Sequence, residues 1–123
     1  MATITCFEEI EAWQTARTLT KRIYELTGEA SFARDFGLRD QMRRASVSIM
    51  SNIAEGFESR TKALFIDFLG RAKVSAGEIR AQAYVALDVG HLDRHYFEEL
   101  FELADKCSRQ ISRFMTYLRS SEG

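Results

Sequence analysis

The sequence predicts an all-α fold, an up-down-up-down four-helix bundle, and three observations point to it. Apolar residues recur at three- and four-residue spacings through four long segments, and no stretch alternates apolar and polar long enough to make a convincing strand. The 123 residues contain no proline, which breaks helix interiors and stiffens loops, so a few long helices with short connections fit. Hydrophobic residues make up 46% of a chain of single-domain length, enough to fill one core. With no internal repeat, low-complexity segment or linker, residues 1–123 read as one domain.

The first helix is expected over residues 6–27. Thr5-Cys6-Phe7-Glu8 reads as a capping box, with Glu8 reaching back to the cap. Glu8, Glu9 and Glu11 suit the positive end of the helix dipole. The apolar face is Phe7, Ile10, Trp13, Ala16, Leu19, Ile23 and Leu26, Gly28 is the stop, and Glu29–Arg34 is a connection.

The second helix is expected over residues 35–57 and carries more apolar surface than a hairpin covers. Leu38, Met42, Ala45, Ile49 and Ile53 form one stripe, and Val47, Met50, Ala54 and Phe57 form another. Gly56 opens a short turn, after which Ser59 or Thr61 caps the third helix, residues 62–89. That helix keeps the spacing through Phe65, Phe68, Ala72, Ala76, Ile79, Ala83 and Ala86, and Gly90 ends it. Gly70 and Gly77 lie inside it, each costing up to about 1 kcal/mol relative to alanine, and would let another helix approach closely. Asp93 caps the fourth helix, residues 94–119, whose seam runs Phe97, Leu100, Ala104, Cys107, Ile111, Phe114, Leu118.

Composition narrows the function classes. The formal net charge is −1 and the pI about 6.1, so bulk charge does not advertise nucleic-acid binding. Two cysteines, Cys6 and Cys107, make no disulfide framework and fit a reduced, cytoplasmic setting. The first residues do not read as a signal peptide, and no apolar run approaches the ~20 residues of a membrane span.

At this point the residues carry a resemblance. Gln41-Met42-Arg43-Arg44-Ala45-Ser46-Val47-Ser48-Ile49, followed by Ser51-Asn52-Ile53-Ala54-Glu55-Gly56, closely resembles the signature of the four helix bundle proteins, also called 23S rRNA intervening-sequence proteins. The resemblance continues through Phe65-Ile66-Asp67-Phe68-Leu69 and Ala72 to Glu78, with Val74 where the family commonly has glycine. It implies a left-handed bundle that assembles as a homopentamer, and it brings no biochemical activity with it. Some genes of the family lie in insertions of 23S ribosomal RNA genes. A distantly related branch, the accessory protein of diversity-generating retroelements, partners a reverse transcriptase and binds nucleic acid.

Three constellations remain. Gln41, Ser48, Asn52 and Glu55 make a polar stripe on the second helix, and Arg71, Ser75, Glu78 and Gln82 make one on the third. A reversal near Glu58 would set Arg39 and Gln41 across from Ser75 and Glu78, and Asn52 and Glu55 near Lys62 and Phe65. The favoured reading is a polar layer of Gln41, Asn52, Glu55, Ser75 and Glu78 that fixes helix register; the alternative is a ligand or partner site. Second, residues 34–80 hold nine basic against six acidic side chains, whereas both flanks are acidic. Arg39, Arg43, Arg44, Arg60, Arg71 and Lys73 could form a phosphate-binding face, although the aromatic residues are spaced as core rather than as stacking platforms. Third, Val47, Met50 and Phe57, with Tyr96, Leu103 and Tyr117 off the main seam of the fourth helix, read as self-association contacts; the alternative is that both stripes share one core.

Signals for catalysis are thin. The Glu-x-x-His pairs of di-iron bundles are missing, and Asp88-x-x-His91 occurs once at a helix end. His91 and His95 straddle a turn, so no metal is expected. Cys107 sits at a core position, and there is no phosphate-binding glycine loop or nucleophile elbow, so no catalytic residue or cofactor is expected. The expectation is a non-enzymatic, homo-oligomeric interaction protein, pentameric by resemblance, that presents a repeated surface to a partner, which could be a protein, RNA or DNA. The alternative is an accessory protein acting on structured RNA, or with a reverse transcriptase, through the basic face.

Overall fold

The computed structural model describes residues 3–121, and every regular element among them is helical. A single turn of 3-10 helix at Phe7–Glu9 leads into α1 (Glu11–Thr27). A short α2 (Ala30–Arg34) follows, then α3 (Phe36–Glu58), α4 (Lys62–Asp88) and α5 (Arg94–Ser120). Around the bundle, α1 packs on α3 and α5, and α4 packs on α3 and α5, so the four long helices enclose one core. Fully buried Leu19, Ile23, Met42, Ile49, Ile53, Leu69, Ile79, Leu100 and Ile111 fill it. Burying each such side chain contributes about 1.5–3 kcal/mol. Both the first stripe of the second helix and the heptad seam of the fourth point inward, with Leu38, Phe114 and Leu118 at the margins.

The helix ends follow their sequence signals in three places. Thr61 accepts from the Leu64 N–H at 3.1 Å, and Asp93 accepts from the Tyr96 N–H at 2.8 Å. At the end of α4, Gly90 takes φ +83°, its N–H reaches the Leu87 carbonyl, and the His91 N–H reaches the Ala86 carbonyl. That paired arrangement satisfies the last orphan carbonyls and suits glycine, which has no Cβ to clash at positive φ.

Elsewhere the structure corrects the sequence reading. The first helix begins at Glu11, because Ile10 is extended (φ −75°, ψ 122°) and buries its side chain. Thr5 accordingly pairs with Glu9 rather than Glu8: both its N–H and its hydroxyl donate to Glu9 Oε1. The connection 29–34 contains a helical turn, α2, which plants Phe32 in the core. Its first residue, Ala30, has φ +50°, a conformation that crowds any Cβ.

Gly56 is not in a turn. It lies inside α3, buried, where an added Cβ would stand 2.8 Å from Phe65 Cδ1 and 2.9 Å from Phe68 Cβ. The close helix approach is therefore at Gly56, between α3 and α4. Gly70 and Gly77 have no such neighbour within the chain: their Cβ positions meet only Met115 Cε at 3.9 Å and the Arg80 guanidinium at 3.6 Å.

The α3–α4 register also differs. α3 continues through Glu58, so the chain reverses later than expected, and Ser75 meets Ser48 rather than Gln41. Arg39 does not reach Ser75. It lies over the Phe36 ring, pairs with Asp40 and donates to the Ala33 carbonyl at 3.0 Å.

Candidate functional site

The polar residues of α3 and α4 line a shallow groove of about 360 Å³ between the two helices, formed by Gln41, Arg44, Ala45, Ser48, Ser75, Glu78 and Gln82. Helical spacing produces it, since Gln41, Ser48 and Asn52 share the side of α3 that faces α4. At its floor Ser48 Oγ accepts from Ser75 Oγ at 3.1 Å and from Asn52 Nδ2 at 3.0 Å; Asn52 also donates to the Ser48 carbonyl. Two of the five expected layer residues, Asn52 and Ser75, thus belong to a hydrogen-bonded trio completed by Ser48. Gln41, Glu55 and Glu78 are exposed and stand outside it. The hydroxyls fit here because each is partnered across the interface, which offsets the cost of burying it.

The basic residues do not converge on one face. Arg43 donates to Thr27 Oγ1 at 2.9 Å and lies 4.5 Å from the Tyr24 ring centroid. Arg71 pairs with Asp67 at 3.0 Å and stacks on Phe68. Arg44, Arg60 and Lys73 are exposed and have no carboxylate partner among the described residues. Along α3 alone, Arg44 and the turn residue Arg60 are separated by roughly 24 Å.

The surplus apolar residues divide as well. Met50, Phe57 and Leu103 pack against the core, and Met50 Sδ accepts the Thr20 hydroxyl. Val47 and Tyr96 are exposed. Tyr117 stacks on Phe114 beside a cleft of about 550 Å³ lined by Ile4, Ile10 and Gln110.

The broad apolar surface lies instead on α4. Its outward side carries Gly70, Val74, Gly77, Ala81 and Val85, spaced by three and four, among exposed Arg71, Lys73 and Glu78, with Asp67 and Asp88 at the ends. Val74 is 67% exposed, and Val85 and Val89 are exposed further along, towards the end of α4. A helix that is apolar on both sides normally has something packed on both. Sequence reasoning noted the two glycines but not this face; the same three-four spacing read on the side opposite the core stripe would have found it.

No arrangement for bond-breaking chemistry emerges from the two thiols. Burial pushes the Cys107 thiol up to about 12, and its Sγ donates to the Ala12 carbonyl. Desolvation and the neighbouring Glu9 also raise Cys6. The His91 ring joins Ser31 and Asp35, and among the described residues no three His, Cys, Asp or Glu side chains come close enough to hold a metal ion. No helix among those residues is long and apolar enough to cross a membrane.

The comparisons agree with this architecture. A protein of unknown function from the S23 ribosomal protein family of Bacteroides thetaiotaomicron, known from its crystal structure, superposes with a TM-score of 0.79 at 18% identity. The match covers 85% of this chain and 95% of that one. No curated protein matches the chain. The sequence pattern of the family described as 23S rRNA-intervening sequence protein matches residues 8–113, and the chain belongs to that family.

Proposed function

We propose that this protein is a non-enzymatic interaction protein that assembles with itself and presents a repeated surface to a partner. One observation carries the reading: α4 exposes Val74, Ala81 and Val85 on its outward side, with small residues at Gly70, Gly77 and Ala81, so a second backbone can come close. Exposed apolar patches mark contact sites. The glycines inside α4 cost the isolated helix stability, and within the chain a Cβ at Gly77 would meet only the Arg80 guanidinium, at 3.6 Å.

Sedimentation velocity from about 1 to 100 µM tests the reading, because mass action makes assembly concentration-dependent. A species heavier than the 14.1 kDa chain, lost in Val74→Arg, is expected. A monomer throughout that range would overturn it.

The nucleic-acid reading rests on Arg44, Arg60 and Lys73, exposed cations of the expected face that have no carboxylate partner among the described residues. Their separation gives a weaker footprint than a contiguous stripe would.

A further inference from the structure

We propose that the cleft between the lead-in to α1 and the end of α5 binds a free α-amino acid with an apolar or aromatic side chain. The cleft measures about 550 Å³, inside the range of roughly 300–1,000 Å³ typical of small-molecule sites. Its walls are mostly apolar. Ile4 and Ile10 come from the lead-in and Phe114 and Tyr117 from α5, the two rings lying nearly parallel, 14° apart in plane. A branched or aromatic side chain can be buried between such walls. No lining residue belongs to α4, so the site goes beyond the self-association reading and does not depend on it.

The polar groups of the cleft carry both signs of charge and are unmatched. Arg113 and Glu11 line it, both exposed, and neither has an ion-pair partner among the described residues. Glu9 lines it too, and hydrogen bonds from Thr5, then from Cys6, hold it below the usual glutamate range, so it is ionised at neutral pH. Gln110 Oε1 is buried without a hydrogen-bond partner among the described residues. No side chain caps α1, and the N–H groups of Glu11 and Ala12 find no acceptor among those residues. A simple anion in the cleft would face Glu9 and Glu11, and a simple cation would face Arg113 and the positive end of α1. A zwitterion meets both. Its carboxylate accepts from Arg113 and the helix N–H groups, and its ammonium donates to Glu11 and gives the Gln110 amide the donor it lacks. Its side chain displaces water from Ile10, Phe114 and Tyr117.

Isothermal titration calorimetry of the full chain with L-phenylalanine, phenethylamine and 3-phenylpropionate tests the site. Each analogue keeps the ring and lacks one of the two charged groups. L-phenylalanine is expected to bind, and each analogue to bind about tenfold more weakly or worse. Arg113→Gln and Glu11→Gln, both at exposed positions and checked for folding by far-UV circular dichroism, should each weaken L-phenylalanine by about tenfold. If either variant fails to fold, the analogue series on the wild-type chain still decides. Absence of binding by both L-phenylalanine and L-leucine up to about 20 mM overturns the proposal. So does an analogue that binds as tightly as L-phenylalanine, or L-phenylalanine binding that both variants leave unchanged. None of these outcomes bears on self-association, which sedimentation velocity reads separately.

Discussion

His91 Nε2 lies 3.0 Å from Asp35 Oδ2 and joins the α4–α5 turn to the start of α3. The carboxylate only accepts, so Nε2 carries the hydrogen, and Nδ1 forms the second hydrogen bond of the ring, with Ser31 Oγ at 2.8 Å. The ring stacks on Phe32 with centroids 4.9 Å apart and is 12% exposed. Asp35 Oδ1 meanwhile accepts the Leu38 N–H and caps α3. One imidazole therefore ties three chain segments together at one end of the bundle.

The first prediction concerns pH. His91, and after it the Leu38 N–H, hold the Asp35 carboxyl below the usual aspartate range. A group whose folded pKa is depressed adds stability above its unfolded pKa and loses it as pH falls through the folded value. Asp35→Asn is thus expected to lower the urea midpoint at pH 7, with the gap from wild type shrinking below about pH 4. A gap that stays constant down to about pH 2.5 would contradict the assignment.

A double-mutant cycle measures the same contact. His91→Phe keeps the stack on Phe32 and removes both hydrogen bonds, at an expected cost of about 1–3 kcal/mol. Combined with Asp35→Asn the losses should be less than additive, with a coupling of about 0.5 kcal/mol or more. Strict additivity would mean that the two side chains do not act together.

Two glycines should respond in opposite directions. Gly56→Ala puts a Cβ within 2.9 Å of ring and Cβ atoms that cannot both retreat, and is expected to destabilise by about 1–3 kcal/mol. Gly77→Ala meets only the flexible end of Arg80, so the single chain should gain up to about 1 kcal/mol of helix stability. Chemical denaturation at low protein concentration reads both. A loss at Gly77 under those conditions would show a packing role within the chain.

Ala30 sits at φ +50°. L-residues are strained there by about 1–2 kcal/mol and glycine is not. Ala30→Gly should therefore raise the unfolding midpoint although it removes a methyl group; a fall in the midpoint would indicate that Ala30 does not hold this conformation.

Fluorescence anisotropy with labelled structured RNA and duplex DNA, from about 50 to 200 mM salt, addresses the basic residues. Weak binding without a steep salt slope is expected, since Arg39 and Arg71 are paired with carboxylates and the exposed cations are scattered. Micromolar or tighter binding that falls steeply with salt and is lost in Arg44→Glu would reverse the ranking of the two functional readings.

The amino-acid sequence by itself determined the helices and the side of each that faces the core. A three-four apolar spacing and a few capping residues are local signals, and Met42, Ile49, Ile53, Leu100 and Ile111 need no distant partner to be read as core. Tertiary structure decided what depends on two elements meeting: the register that brings Ser48 to Ser75, the close approach at Gly56, the grip of His91 on Asp35 across 56 positions, and the dispersal of the arginines into separate contacts. Helical spacing places a residue on a face, but how far one helix has slid along the next is set by where the chain reverses and by which side chains interlock. The exposed apolar side of α4 belongs to that second kind, since an apolar residue counts as exposed only once its neighbours are in place.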